Sequence, residues 1–432
     1  MPNPSRRDCA VDRRKFIGAV GAAGVAGFAG CLNSLPGGDG DGEDGIEYWT
    51  LFGGGDGDAM ESMVDQYNEE HDTQINRQRQ PWDEYYDKLY TALSGGSAPD
   101  LAIIHTSQLA AYRDHLQPLG DLIDDSTADD YVDSIWSMTE TGDDRLALPL
   151  DTHPAGFYYN KDIFEEAGLD PESPPETHEE FSEACDAIAE NTDYNAFGPT
   201  PYGGFELIRT YFMFLRQTGG QLLNDDNTQA AFDTDTGVEV AEYLANVSGE
   251  WGWDSPEISD NRWEKEFRSG QLGIIQNGTW FYGVAADADF EFGMFEPFVY
   301  PDGDEEYTWA DSHTIAIPRD PDRSEEETQG ALEAAIWLTQ EPDTWGTEAG
   351  HLPASESILE SDELRDTDVW KKTLSTYYEM AQNDQLAYQP RIESMTDYQD
   401  PLWENLAEIY SQNLSPEEGI SNAAEEINST LE

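Results

Sequence analysis

The stretch IEYWTLFGGGDGDAMESMVDQYNEEHDTQINRQRQPWDEYYDKLYTALSGGSAPDLAIIHT, Ile46 to Thr106, decides the fold class. IEYWTLF reads as a strand that runs into a Gly-Asp break. Ala59 to His71 then carries apolar residues at Met60, Met63, Val64 and Tyr67, the spacing of one helical face. TQINRQRQ supplies a second strand, and WDEYYDKLYTAL a second helix that stops at Gly95-Gly96 with Pro99 beyond. LAIIHT, Leu101 to Thr106, is a short apolar strand. Strands alternating with helices build a mostly parallel α/β sheet that takes ligands outside the strand ends.

Towards the C-terminus the same mixture continues. LALPL is a strand, helices follow from Asp162 and from His178 to Glu190, and longer helical patterns cover Glu206 to Thr218 and Thr236 to Gly249. LGIIQNGTW, FGMFEPFVY and HTIAIP read as strands, GALEAAIWLT as a helix, and Asp362 to Glu432 as largely helical. No repeat of 20 to 50 residues is present, which sets aside solenoids and propellers.

The N-terminal flank has a different character. DRRKFIGAVGAAGVAGFAGC, Asp12 to Cys31, joins a basic pair to an apolar run that is too short for the roughly 20 residues of a spanning helix. A basic pair, a short hydrophobic segment and small residues before a cleavage point describe a secretory signal, here with Arg13-Arg14 in twin-arginine form. AGC at Ala29 to Cys31 has the context of a lipobox, which implies cleavage before Cys31 and acylation of its thiol; an incidental cysteine in a discarded signal is the alternative. LNSLPGGDGDGEDG, Leu32 to Gly45, has too little apolar surface to fold and reads as a self-repelling tether. Its DGDGED lacks the spacing and closing Glu of a calcium loop.

Composition narrows the function. The chain of 432 residues carries 90 acidic and 22 basic residues, a formal charge of −68, which argues against binding nucleic acid. Hydrophobic residues at 38% and aromatic residues at 12%, spread along the body, argue for a folded protein with a carboxylate-coated surface suited to high salt. Of three cysteines only Cys185 lies in the body, in a helical pattern where a small buried thiol is expected, so the mature chain has no intramolecular disulfide. There is no GxSxG, HExxH or GxxxxGK[ST], and the seven histidines show no metal-ligand spacing. No catalytic, metal or cofactor motif is present.

Several segments resemble the extracellular solute-binding proteins of ABC importers, the group that includes the maltose-binding protein. They are WDEYYDKLYTALSGGSAPDLAII at 82–104, LALPLDTHPAGFYYNKDIFEEAGLD at 146–170, SGQLGIIQNGTW at 269–280, HLPAS at 351–355 and SPEEGISNAAEEI at 415–427. Ile275 and Gln276 depart from the family's usual Ala-Met. The resemblance implies a two-lobed, type II periplasmic-binding-protein-like fold, each lobe a mixed, mostly parallel sheet flanked by helices. A hinge would close the lobes over a solute in the cleft. It places one lobe at 46–150 plus 298–350 and the other at 151–297 plus 351–432.

By resemblance, the cleft positions are Trp49, His105, Thr106, Asp151, His153, Tyr202, Asn277, Trp280, Trp309, Asp311, His313 and Tyr388, with His351 and Tyr398 beside them. Sugar rings stack on aromatic surface and need fixed hydrogen-bonding groups, so aromatics at strand ends suit a sugar or oligosaccharide. Each residue also has a plainer role open to it: a core aromatic for Trp49 or Trp280, a hydrogen-bonded structural group for His153 or His313, a cap for Asp151. Asn277 opens an NGT sequon, as Asn246, Asn413 and Asn428 open others. Arg391 could meet an anionic ligand. The partners implied are a small solute, the importer's permease subunits and a membrane reached through the lipid alone, for a monomer without cofactor. A secreted glycoside-active enzyme or adhesin is the rival class.

Overall fold

A computed structural model of the chain describes residues 45–200, 203, 206–259, 261–297, 300, 303 and 306–431. Arg13, Arg14, Cys31, the tether up to Asp44 and Tyr202 lie outside the described residues.

Strand β1 (Gly45–Thr50), helix α1 (Gly54–Glu70), β2 (Gln74–Arg79), α2 (Tyr85–Gly95) and β3 (Leu101–His105) open the fold. The chain continues through β4 (Ala147–Pro149), β5 (Asp151–Thr152), β6 (Ala155–Asn160), α3 (Lys161–Ala167), α4 (His178–Asn191) and β7 (Asn195–Gly198). Next come α5 (Leu207–Gln217), α6 (Asp235–Ser248), β8 (Leu272–Gly278), β9 (Phe292–Phe295), β10 (Thr308–Ala310) and β11 (His313–Ala316). Helix α7 (Glu325–Gln340), β12 (Leu352–Pro353), β13 (Leu386–Tyr388), α8 (Thr396–Tyr410) and α9 (Pro416–Leu431) complete it.

Two sheets organise these elements. The first has the order β2-β1-β3-β11-β4, with β1 parallel to β2 and β3, and β11 antiparallel to both β3 and β4. α1 buries Met60, Met63, Val64 and Tyr67, the face read from the sequence. α2 closes at Gly96 with φ of 71°, a left-handed cap that glycine adopts without a Cβ clash. The second sheet has the order β9-β6-β8-β7, in which β8 runs parallel to β7 and antiparallel to β6. β6, AGFYYN, is buried along its whole length, as expected of a strand covered on both faces. Cys185 of α4 is fully buried in this lobe, and burial pushes its thiol well up.

Each sheet carries its own hydrophobic core. The first core gathers residues from Ile46 to Leu150 and from Ala310 to Leu386. The second gathers residues from Ala155 to Trp309 and from Ala387 to Ile427. Two segments therefore sit differently from the sequence reading. Tyr300 and Trp309 pack with the second core, and Leu352 to Leu386 with the first. The reason for the second difference is local: β12 pairs antiparallel with β5, so the chain only touches the crossover at 351–353 and its following helices return to the first core.

The backbone passes between the cores at three places, around 150–154, 309–312 and 386–389. β10 and β13 run parallel to each other. The Tyr388 hydroxyl bonds Thr152 Oγ1 and Ser312 Oγ, each at 2.9 Å, and so ties all three crossovers together.

Candidate functional site

Four of the seven histidines meet at these crossovers. The fully buried carboxylate of Asp151, the first residue past β4 and Leu150, is their hub. It accepts from His153 Nδ1 at 3.1 Å, from the His313 amide at 3.0 Å and Nδ1 at 2.7 Å, and from Trp345 Nε1 at 2.6 Å. Burial opposes its ionisation, but the charge of His313 and the hydrogen bonds from His153 and His313 win, and hold its carboxyl well below the usual range. Burial and the neighbouring His313 push His153 down to about 4, so its ring is neutral near pH 7.

His105 ends β3, its ring centroid 4.6 Å from that of His313 and its Nδ1 paired with the Tyr86 hydroxyl. Burial, then His313, keep its pKa well below normal. Burial would also lower His351, but Asp56 and Asp151 outweigh it and raise it. Asp311 is saturated in another way. It accepts from Thr106 Oγ1 at 2.6 Å, from the amide and hydroxyl of Ser107, and from the Ser312 amide, fixing the turn after β3 to the second crossover.

Next to this knot lies a cavity of about 650 Å³ between the lobes. Ser107, Gln108 and Asp311 line one side, and Arg209, Trp309 and Trp403 the other. The Arg209 guanidinium stands 4.2 Å from the Trp309 ring centroid and 5.3 Å from that of Trp280, and it pairs with Glu206 at 2.7 Å. Burial raises the Glu206 carboxyl, and Arg209 offsets part of that. Two buried donors on the lining, Trp309 Nε1 and Gln389 Nε2, have no partner among the described residues. A buried donor left so is costly, and a ligand hydroxyl would satisfy it.

The residues expected from sequence divide into three groups. His105, Thr106, Asp151, His153, Trp280, Trp309, Asp311, His313 and His351 converge at the crossovers, and of these Trp309 and Asp311 line the cavity. Tyr388 joins them, but its hydroxyl is spent on the hinge. Asn277, buried in β8, bonds its own strand through Gly278, so its sequon lies inside the fold.

Trp49 does not line the cavity. The period of two in β1 turns Tyr48 and Thr50 into the interior and leaves Trp49 partly buried against the rim of the first core. Tyr398 is fully buried and donates to the Pro390 carbonyl. Arg391 gives its guanidinium to the carbonyls of Met138 and Glu140. Sequence reasoning missed Glu206, Arg209, Gln389 and Trp403. Arg209 carried the one available signal, a rare basic residue inside an apolar helix.

Residues 62–373 match the model of a family described as bacterial extracellular solute-binding protein, and the chain belongs to that family. It is 28% identical over 228 residues to an arabinooligosaccharide-binding protein of Halalkalibacterium halodurans, covering 50% of this chain and 48% of that protein. A 26% identity over 150 residues relates it to the sn-glycerol-3-phosphate-binding periplasmic protein UgpB of Shigella dysenteriae, covering 32% of this chain and 34% of that one. The chain thus spans about half the length, or less, of the curated relatives it matches.

Among solved structures, the cyclic α-maltosyl-1,6-maltose binding protein of Arthrobacter globiformis superposes with a TM-score of 0.77 at 26% identity, over 89% of this chain and 98% of that one. Maltose-bound MalE3 of T. maritima superposes with a TM-score of 0.76 at 16% identity, over 89% and 99%, a likeness of fold alone. The fold is the two-lobed, maltose-binding-protein-like α/β fold.

Proposed function

We propose that the protein captures a neutral sugar or oligosaccharide in the interlobe cavity and delivers it to the permease subunits of an ABC importer. The observation that carries this reading is the cavity wall: the indoles of Trp309 and Trp403 beside amides, hydroxyls and carboxylates, with two buried donors that a sugar hydroxyl would satisfy. Charge favours a neutral solute over a phosphorylated one. Arg209 is matched by Glu206, while Asp311 and Asp400 add negative charge to the lining. The sugar-binding relatives support the same class.

The site residues of this reading are Arg209, Trp309, Gln389 and Trp403, with Trp280 backing the wall and the crossover histidines behind it. The two lobes are those of the two cores, and ligand touching both would stabilise closure. Export through Arg13-Arg14, acylation of Cys31, a monomeric state and life in high salt belong to the same proposal, supported by the signal, the AGC context and the charge of −68.

A thermal-shift screen across neutral oligosaccharides and glycerophosphodiesters in multimolar KCl, followed by calorimetry, tests it. Saturable sugar binding without turnover is expected. Glycoside hydrolysis, or a shift with phosphodiesters alone, overturns it. Cys31→Ser should release the protein into the medium, and unchanged membrane retention would remove the anchor.

A further inference from the structure

We propose that Asp151, His153, His313 and His351 form a binding site for one divalent transition-metal ion of the zinc class at the junction of the crossovers. One ligand atom from each of the four lies within 4.8 Å of all the others, and every one of these residues is buried. In a tetrahedral zinc site with bonds of about 2.0–2.1 Å, ligand atoms stand about 3.3 Å apart. Here His313 Nδ1, His153 Nδ1 and His351 Nδ1 approach the Asp151 oxygens at 2.7, 3.1 and 4.0 Å, distances that bracket that value.

The donor set selects the ion. Three imidazole nitrogens and one carboxylate suit zinc, cobalt or a similar metal, whereas calcium and magnesium prefer oxygen throughout. Charge points the same way. Among the described residues the ion pairs of Asp151 are with histidines alone, and the carboxylate of Asp56 stands 3.4 Å from His351 Nε2. A buried anion is costly unless a cation compensates it, and a divalent ion would do so without protonating buried imidazoles.

The surroundings already orient these side chains. Trp345 donates to Asp151 at 2.6 Å and stacks on His351 with ring centroids 5.1 Å apart. Asp56, 3.4 Å from His351 Nε2, faces the ring nitrogen that coordination through Nδ1 leaves free to donate. Partners of this kind fix ligand orientation in metal sites. Where a neutral imidazole coordinates through Nδ1, its proton resides on Nε2, so binding needs only a change of tautomer at that ring.

The ion would pin the first crossover to β11 and to the segment before β12. His153, edge-on to Trp280 at 5.8 Å, would pass its presence to the cavity wall. Sequence spacing could not show the site, because its members stand at 151, 153, 313 and 351. The proposal does not depend on which solute the cavity takes.

The test strips the mature protein with a chelator, titrates it with Co²⁺ in KCl, and then adds Zn²⁺. The expected result is one equivalent of Co²⁺ with the strong visible absorption of four-coordinate nitrogen and oxygen ligation, displaced by one equivalent of Zn²⁺. His351→Gln and Asp151→Asn, checked for folding by circular dichroism, should each weaken Co²⁺ binding at least about tenfold. If both variants unfold, the native chain decides by its own stoichiometry and spectrum. A spectrum no different from hydrated Co²⁺, as carboxylates on the surface would give, overturns the proposal. So does a four-coordinate band that survives unchanged in folded variants.

Discussion

Trp280 shows how closely single residues are fitted behind the cavity wall. A Cβ on Gly278 would stand 1.9 Å from its ring, so only glycine lets the indole lie against the backbone there. Trp280 in turn stands edge-on to Trp309, and Arg209 covers both rings. Trp309 is 4% exposed and serves core and cavity at once, whereas Trp403 is partly exposed on the lining and donates to Asp400. The two tryptophans should therefore separate binding from folding. Trp403→Ala is expected to lower sugar affinity by about 2 kcal/mol, roughly thirtyfold, with little change in melting temperature. Trp309→Ala should lose the affinity and also about 3–5 kcal/mol of stability, because it opens a cavity in the second core. Calorimetry paired with urea unfolding checks both, and a stable Trp403→Ala that binds normally would show that the solute sits elsewhere.

At the scale of elements, the strand that matters most is one of the shortest. β5 is only Asp151–Thr152, yet it pairs with β12, supplies the carboxylate hub and receives the Tyr388 hydroxyl. Tyr388→Phe removes one hydroxyl that makes two bonds across three crossovers. The expected loss is about 1–2 kcal/mol by urea unfolding at fixed KCl, since Thr152 keeps its bond to the Asp311 carbonyl at 3.1 Å. An unchanged stability would mean that the hydroxyl does not tie the crossovers.

Most of these elements were legible in the sequence. α1 follows from helical spacing, α2 from its spacing and its glycine stop, and β4 from the apolar run LALPL, whereas the strand β6, AGFYYN, was not read. The rest of what escaped reading is long-range. An amphipathic helix declares that it has a buried face but not which core receives it, which is why Leu352 to Leu386 was grouped with the other lobe. The meeting of His105, His153, His313 and His351 is equally invisible locally, because the order of strands in the sheet, and not their spacing in the chain, brings them together.

At the scale of the whole molecule, a formal charge of −68 opposes the compact state, because folding concentrates like charges that an extended chain keeps apart. The ion pairs that the fold does make, such as Arg77 with Glu61 and Arg323 with Asp100, are too few to cancel 90 acidic residues with 22 basic ones. Salt should therefore govern stability. The Debye length falls from about 30 Å at 0.01 M to about 3 Å at 1 M, shorter than the distance between most surface carboxylates. Repulsion is then screened almost fully by about 1 M KCl, and most of the rise in melting temperature should occur below that concentration. A further rise above it would reflect tighter apolar burial, since excluded salts strengthen that term while screening has little left to give. Circular dichroism melts from dilute buffer to multimolar KCl distinguish the two regimes. A melting temperature that does not move between dilute buffer and 1 M KCl would mean that the carboxylates are accommodated by the fold itself, and that the charge of the surface does not set its stability.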